Sequence, residues 1–249
     1  MSYTAFKKLH EDKELLLLGN IWDGQSTKVA EEVGFKALGL ASHPLANLYG
    51  YEDGEIIRPA EVLYMVERIL KVAKTPLSVD YEAGYSDDPD EVANNVKGLY
   101  DAGVVGINLE DGKVVNGERK LGEASVLAAK IKAIKALTPD IFVNARADTY
   151  TTKHENALEE TIKRAKIYEE AGADGLFVPI VEKKEDIEKI AASTKLLLNI
   201  FLTPNIPSKD VLEEIGVTRV SHGPKVWEHL IEQNKKALED ILSSMKLPN

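Results

Sequence analysis

The stretch Leu99-Tyr-Asp-Ala-Gly103-Val-Val-Gly-Ile-Asn-Leu109 decides the fold class of this 249-residue chain. Its first half is typical of a helix end, because a glycine directly after the last helical turn can adopt the left-handed conformation that terminates a helix. The run that follows is apolar on both faces, as expected for a buried strand of a parallel sheet. The stretch therefore predicts one helix-to-strand step of an α/β protein.

The same pattern occurs elsewhere in the chain, with its glycine at Gly34, Gly172 and Gly216. Further apolar segments between these copies predict strands at Leu15–Ile21, Pro76–Tyr81, Ile141–Arg146 and Lys195–Phe201. Eight strands that alternate with helices over about 220 residues are the number expected of a (β/α)8 barrel. The sequence thus predicts one TIM-barrel domain spanning residues 1–249.

A doubly wound open sheet is the alternative fold, and it would have about five to seven strands and a glycine-rich turn after the first. The segment Trp22-Asp23-Gly24-Gln25-Ser26 follows the first predicted strand and does not match a dinucleotide-binding pattern. The barrel is therefore favoured. A long last helix is predicted at Val226–Met245, where it could pack against a neighbouring subunit.

Composition excludes several classes of site. The chain has no cysteine, which rules out disulfides, thiolate zinc sites and a cysteine nucleophile or acid. Its formal net charge of −10 argues against a nucleic-acid or anionic-membrane partner. The N-terminus lacks the apolar stretch of a secretory signal, and no run approaches the roughly 18 apolar residues that cross a bilayer. We expect a cytoplasmic protein.

Carboxylates follow several of the predicted strands, at the end of the barrel where active sites lie. They are Asp53, Asp80, Glu82 and Glu110. So much negative charge in one partly buried place is costly without a cation. Oxygen ligands without thiolates favour Mg²⁺, with Mn²⁺ also possible. We therefore predict a metal site at these carboxylates, although an Asp-x-Glu pair can also cap a helix or face solvent.

Other strand-end residues are candidates for contacts with a substrate. Arg146 could bind a substrate carboxylate in bidentate fashion, unless it forms an internal salt bridge to Asp148 or Glu110. His222 could be a general acid or base, or could be structural. The predicted catalytic residues are Arg146, His222 and Ser42. The predicted substrate-binding residues are Ser42, His43, Asp53, Arg146 and Asn199.

Five motifs at these strand ends resemble the isocitrate lyase/phosphoenolpyruvate mutase superfamily, in order from about residue 14 to residue 225. They are Gly19-Asn-Ile-Trp-Asp23, Tyr49-Gly-Tyr-Glu-Asp53-Gly-Glu55, Val79-Asp80-Tyr-Glu82-Ala-Gly-Tyr85, Glu110-Asp111 and Asn144-Ala-Arg146. The resemblance implies a barrel whose eighth helix is exchanged between subunits of a homodimer or homotetramer. It also implies a Mg²⁺ site with Asp80 as the direct ligand and with Asp53, Glu82 and Glu110 acting largely through water.

The resemblance further implies that Arg146 binds the carboxylate of a 2-oxo or 2-hydroxy acid that reacts through the enolate of pyruvate or a related acid. Lyases of the superfamily carry a Lys-Lys-Cys-Gly-His loop whose cysteine is the catalytic acid. The corresponding segment Gly112–Gly122 has no cysteine, and Asn116 is its single echo of the Lys-Thr-Asn-Ser-like loop of the mutases. Ala41-Ser42-His43 stands where relatives commonly have Ser-Ser or Ser-Gly.

These departures predict a member without the thiol acid. The expected function is a Mg²⁺-dependent carbon–carbon lyase or decarboxylase, of the oxaloacetate decarboxylase type, acting on a small 2-oxo or 2-hydroxy dicarboxylic acid. A decarboxylase needs no acid for its leaving group, because CO2 departs neutral. One alternative is the P–C chemistry of a phosphonopyruvate hydrolase or phosphoenolpyruvate mutase. Another is a barrel that binds a carboxylate metabolite without turnover.

Overall fold

The computed structural model of the protein describes residues 2–115, 117–245 and 247, so that the predicted echo at Asn116 lies outside the described residues. The strands, numbered in chain order, are β1 (Leu16–Ile21), β2 (Leu38–Leu40), β3 (Leu77–Asp80), β4 (Gly106–Glu110), β5 (Gly112–Val115), β6 (Glu118–Leu121), β7 (Phe142–Arg146), β8 (Gly175–Val178), β9 (Leu197–Phe201) and β10 (Val217–Ser221). The helices are α1 (Tyr3–Glu11), α2 (Gly24–Val33), α3 (Ser42–Leu48), α4 (Pro59–Leu70), α5 (Pro89–Ala102), α6 (Ala124–Leu137), α7 (Ala157–Ala171), α8 (Lys184–Ser193), α9 (Lys209–Ile215) and α10 (Lys225–Ser244).

Eight of these strands form a closed parallel barrel in the order β1-β2-β3-β4-β7-β8-β9-β10, and β10 pairs with β1 to complete it. The predicted (β/α)8 barrel is therefore confirmed. The strand register brings functional side chains to the same end of the barrel. Asp80 is opposite Asn108 in the β3–β4 pair, and Glu110 is opposite Arg146 in the β4–β7 pair.

Local sequence explains why the barrel forms. The glycines predicted to end helices do so in the left-handed region, with φ values of 103° at Gly34, 114° at Gly103, 98° at Gly172 and 94° at Gly216. The strands that follow are largely buried on both faces, as parallel strands covered by helices should be. At the other end of the barrel, Phe6 of α1 packs on Phe142 and covers the amino ends of the strands.

One feature was not predicted from the sequence. The segment after β4 was expected to be a loop, but β5 and β6 form an antiparallel hairpin in which Val114 is opposite Arg119. The long last helix was predicted and is present as α10, and no side chain between Lys225 and Ser244 is buried in the single chain. Its exchange between subunits stays a prediction. Among the helices of the described ranges, none combines the length and apolar character that a membrane-spanning segment needs.

Candidate active site

A cavity of about 240 Å³ opens at the carboxyl ends of the barrel strands. Sequence-predicted residues that line it are Ser42, His43, Asp53, Asp80 and Arg146. The cavity wall does not include the other predicted residues, which are Glu82, Glu110, Asn199 and His222. The structure therefore brings together only part of the predicted site, and it adds Asn108 and Arg119, which the sequence did not indicate.

Two carboxylates form the acidic part of the cavity. Asp80, at the end of β3, accepts hydrogen bonds from the Ser42 hydroxyl at 3.0 Å and from the Asn108 side-chain amide at 3.3 Å. Asp53 lies in the segment between α3 and α4, and its Oδ1 is buried without a hydrogen-bond partner among the described residues. Burial, and next the charge of Asp80, raise the pKa of Asp53. A cation at this place would offset both the cost of burying the Asp53 charge and its repulsion by Asp80.

The other two predicted metal-site carboxylates are held by protein groups. Glu82 accepts one hydrogen bond from the backbone N–H of Glu55 and another from the Tyr85 hydroxyl, both at 2.9 Å. Burial, and next the charge of Asp53, raise the pKa of Glu82 to about 8. Across the described ranges, no three His, Asp or Glu side chains are arranged to hold one metal ion. Of the four predicted carboxylates, Asp53 and Asp80 line the cavity, and a role of Glu82 and Glu110 in metal binding stays a prediction.

The pair formed by Asp53 and Asp80 fits the predicted Mg²⁺ ion. Mg²⁺ keeps several waters in most sites and is often bound through only one or two carboxylates. The unpartnered oxygen of Asp53 and the adjacent Asp80 supply such a pair. The Ser42 hydroxyl and the Asn108 amide orient Asp80 by donating to its two oxygens, as residues around metal ligands commonly do. Metal binding by Asp53 and Asp80 stays a prediction that this geometry supports.

The basic part of the cavity is an ion-pair cluster. Arg146 Nη1 lies 2.7 Å from Glu110 Oε2, and Arg146 Nη2 lies 2.8 Å from Asp148 Oδ1. These are the internal salt bridges that were the alternative interpretation of Arg146. Burial alone would raise the pKa of Asp148, but Arg146 and Arg119 together lower it. Glu110 therefore serves as a buried partner of arginines, and a substrate contact by Arg146 stays a prediction.

Arg119 is a site residue that sequence reasoning missed. It reaches the cavity from β6, where its Nη1 donates to Glu110 Oε1 and, at 2.9 Å, to Asp148 Oδ2. The Asn-Gly dipeptide at positions 116 and 117 of the sequence is a hairpin signal. It would have indicated a paired strand in place of a loop.

Asp111 supports this cluster without facing the cavity. Its Oδ1 accepts a hydrogen bond of 2.8 Å from the Asp148 backbone N–H, and its Oδ2 accepts one of 2.9 Å from Arg164. The Tyr168 hydroxyl donates to the same oxygen at 2.5 Å. Asp111 thereby fixes the backbone at Asp148, the residue to which both arginines bind.

His222 and Asn199 lie away from the cavity. The Nε2 atom of His222 accepts a hydrogen bond of 3.0 Å from the Asn20 backbone N–H, and the ring lines an apolar groove beside α10. Burial lowers the pKa of His222. Asn199 is buried inside the barrel, and neither atom of its side-chain amide has a partner among the described residues. Catalysis by His222 and substrate binding by Asn199 stay predictions.

The sequence profile of the family described as phosphoenolpyruvate phosphomutase matches residues 6–242 of the chain. The chain belongs to this family. Other matching proteins include a 2-methylisocitrate lyase and a 2,3-dimethylmalate lyase, the latter described as a member of the PEP mutase/isocitrate lyase superfamily. The superfamily inferred from the strand-end motifs is therefore confirmed.

Three relatives show how far the similarity of this family member extends. An uncharacterized protein of Mycobacterium tuberculosis is 37% identical over 224 residues, which cover 88% of this chain and 81% of that protein. A crystal structure from Burkholderia cenocepacia J2315, named provisionally as a phosphonomutase, is 33% identical with a TM-score of 0.89 and covers 96% of this chain and 99% of its own. An oxaloacetate decarboxylase of Bradyrhizobium diazoefficiens is 26% identical over a region that covers 92% of this chain and 79% of that protein.

Proposed function

We propose that this member of the phosphomutase family is a Mg²⁺-dependent carbon–carbon lyase of the decarboxylase type. Its substrate would be a small 2-oxo or 2-hydroxy dicarboxylic acid, and oxaloacetate is the simplest candidate. One observation carries the proposal. Asp53 and Asp80, one with an unpartnered buried oxygen, share a small cavity with two guanidinium groups. Named relatives of the chain are lyases and mutases, among them oxaloacetate decarboxylases.

Mg²⁺ would be held by Asp80 and Asp53, and it would supply positive charge where negative charge develops on the substrate. The protein's own contribution is to orient these groups. The Ser42 hydroxyl and the Asn108 amide fix the two oxygens of Asp80. His43 Nδ1 lies 3.9 Å from Asp53 Oδ2, so a protonated His43 would attract the carboxylate. Arg119 and Arg146 place two guanidinium groups at the same cavity.

Decarboxylation leaves an enolate that must take up a proton after CO2 departs. No thiol is present for this step, since the chain has no cysteine. His222 was the predicted donor, but its Nε2 is occupied by the Asn20 N–H. His43 lines the cavity with its side chain 42% exposed, which places it in contact with solvent and with any bound acid. We therefore assign the proton delivery to His43 or to water next to it.

The size of the cavity restricts the substrate. Pockets for drug-sized ligands commonly measure about 300–1,000 Å³. The cavity here measures about 240 Å³, which suits an acid of a few carbon atoms. Phe177, Ile180 and Phe201 contribute apolar wall beside the charged groups.

P–C chemistry is the second candidate function. It is favoured by the 33% identity to the structure named provisionally as a phosphonomutase. Two guanidiniums at one cavity also suit a phosphonate, because arginine binds phosphate-like oxygens in bidentate fashion. Phosphorus NMR of phosphonopyruvate incubated with the protein and Mg²⁺ separates the two candidates. Loss of the phosphonate signal would support this second function, whereas an unchanged spectrum would leave decarboxylation.

The test of the first candidate is pyruvate formation from oxaloacetate, with the enzyme-free rate at the same Mg²⁺ concentration subtracted. We expect EDTA to abolish turnover, and Asp80→Ala to reduce it to background. Asp101→Ala on the exposed face of α5 is the control that should retain wild-type turnover. Turnover that survives EDTA would contradict the metal site. Tight binding of oxalate with Mg²⁺, but no turnover across a panel of 2-oxo and 2-hydroxy acids, would indicate a carboxylate-binding barrel.

A further inference from the structure

The two arginines of the cavity differ in how they use their nitrogens. Arg146 directs Nε and Nη2 to Asp148 and Nη1 to Glu110, so all three of its nitrogens face protein carboxylates. Arg119 makes both of its contacts, to Glu110 and to Asp148, through Nη1 alone. Within the described residues, Nε and Nη2 of Arg119 therefore have no protein acceptor. A guanidinium in this state can still donate a pair of hydrogen bonds to a ligand.

The environment of Arg119 favours such a ligand. Its side chain is 21% exposed, compared with 14% for Arg146, and both line the cavity. Glu110 and Asp148, the carboxylates that hold Arg119 in place, are 4% and 0% exposed. The anchoring contacts thus lie deep in the cluster, while the remaining nitrogens lie on its accessible side. Charged hydrogen bonds at one edge pre-organise the guanidinium and reduce the entropy that ligand binding would cost.

Charge balance points in the same direction. Glu110 and Asp148 together offset the charges of Arg119 and Arg146. With Mg²⁺ at Asp53 and Asp80, both halves of the cavity would be close to neutral. A ligand with one carboxylate can be bound at the metal alone. A second carboxylate needs a donor elsewhere, and Arg119 is the arginine whose nitrogens remain available for it.

We propose that Arg119, on the β5–β6 hairpin, binds the second carboxylate of the substrate and so selects dicarboxylic over monocarboxylic acids. This assignment rests on the proposed function, because it concerns the same cavity. Arg146 then acts as a positioning residue, because its ion pairs hold Glu110 and Asp148 where they bind Arg119. A purely structural role for Arg119 makes a different prediction, since it would affect the binding of every acid equally.

The test compares malate with lactate, which is a 2-hydroxy acid that lacks the second carboxylate. Calorimetric titration with Mg²⁺ present measures both dissociation constants in the wild type and in Arg119→Met. If Arg119 makes a charged, bidentate contact, the dissociation constant for malate should be about tenfold to a hundredfold higher in Arg119→Met than in the wild type. The lactate constant should change by less than about twofold. Lys120→Met, at the exposed neighbouring position of β6, is the matched control and should change neither.

Arg119→Lys keeps the charge but not the paired donors, so its malate constant should lie between those of the wild type and Arg119→Met. If Arg119→Met lowers the thermal unfolding midpoint, Arg119→Lys provides a second test of the proposal. An unchanged preference for malate over lactate in both variants overturns the proposal. So does an equal loss of both ligands, or the absence of malate binding by the wild type. If malate binding depends on Arg119 but no acid is turned over, the proposed function fails and this assignment stands.

Discussion

Arg219 donates a hydrogen bond of 3.2 Å from Nη2 to the side-chain oxygen of Asn108 inside the barrel. Asn108 in turn donates to Asp80, so a chain of two hydrogen bonds joins a buried cation to the predicted metal ligand. Arg219 is 1% exposed, and burial lowers its pKa to about 10 against the opposing effect of the Asp80 charge. Its Nε and Nη1 have no partners among the described residues. We therefore predict that this costly buried charge helps to position Asp80.

Arg219→Met should therefore separate stability from activity. Burying a charge that has no ion-pair partner is costly, so an apolar side chain of similar length at this position should not lower stability. Loss of a residue that supports a metal ligand typically weakens metal binding about 10- to 100-fold. We expect an equal or higher free energy of unfolding in urea. We also expect that a higher Mg²⁺ concentration is needed for half-maximal turnover. Arg68→Met on the exposed face of α4 should change neither quantity. A destabilised variant with intact Mg²⁺ affinity would show that Arg219 is structural.

Gly112→Ala should disturb the ion-pair cluster of Arg119, Arg146, Glu110 and Asp148. A Cβ atom at Gly112, the first residue of β5, would collide with the Asp148 carboxylate and lie 3.0 Å from its Cβ. Asp148 would have to move, and both arginines bind to it. Overpacking of this kind costs about 1–3 kcal/mol. We expect a lower thermal midpoint and reduced kcat/KM. Gly98→Ala in α5 is the control, because its nearest neighbouring atom is 3.9 Å away and alanine favours helices.

The barrel was predictable because its signals are local. A glycine that ends a helix and an apolar run that follows it are read within a dozen residues, and repetition of this unit determined the fold. The hairpin was harder to predict, because its two strands are short and partly exposed and Gly112–Gly122 stands where the superfamily carries a catalytic loop. Arg119 was missed with it, since the position of that side chain depends on the β5–β6 register.

The side-chain directions at the strand ends were harder to predict. Neighbouring residues of a strand point to opposite faces. Ser221 accordingly lines the cavity, while His222 directly after it lines the apolar groove outside the barrel. Glu82 follows β3 with a φ of 46° and turns its carboxylate to Tyr85. Counting acidic residues after strands therefore identified the right end of the barrel, but overestimated how many carboxylates face the cavity.

The α10 helix leads to a prediction about assembly. Its exposed apolar side chains include Leu230 at 47%, Leu238 at 56% and Leu242 at 89% exposure. Several exposed apolar side chains on one helix are typical of an interface. We propose that α10 packs in a homodimer or homotetramer, so light scattering should give two or four times the chain mass of 27.4 kDa. Leu238→Asp combined with Leu242→Asp should yield monomers, and Glu232→Gln should not. A monomeric wild type would contradict this proposal.

His10 predicts how the stability of the barrel depends on pH. It lies under the barrel with its ring stacked on Phe142 at 4.6 Å, and its Nδ1 donates to the Phe6 carbonyl at 2.9 Å. Burial, and next the charge of Arg219, lower the pKa of His10 to about 3. The unfolded chain binds a proton at His10 below about pH 6.5, whereas the folded chain stays neutral there until about pH 3. The stability present above pH 6.5 is therefore lost as the pH falls towards 3.

His10→Leu isolates this contribution, because leucine keeps an apolar side chain under the barrel but cannot bind a proton. Between pH 7 and pH 5, urea unfolding should show that the wild type loses about 2 kcal/mol more stability than the variant. His154→Gln, at an exposed position, should retain the wild-type slope. Parallel pH profiles for the wild type and His10→Leu would mean that the folded protein accepts the proton at His10 without opening. Water or an acidic partner would then have to reach the base of the barrel, and the closed packing of α1 against the strands would be wrong.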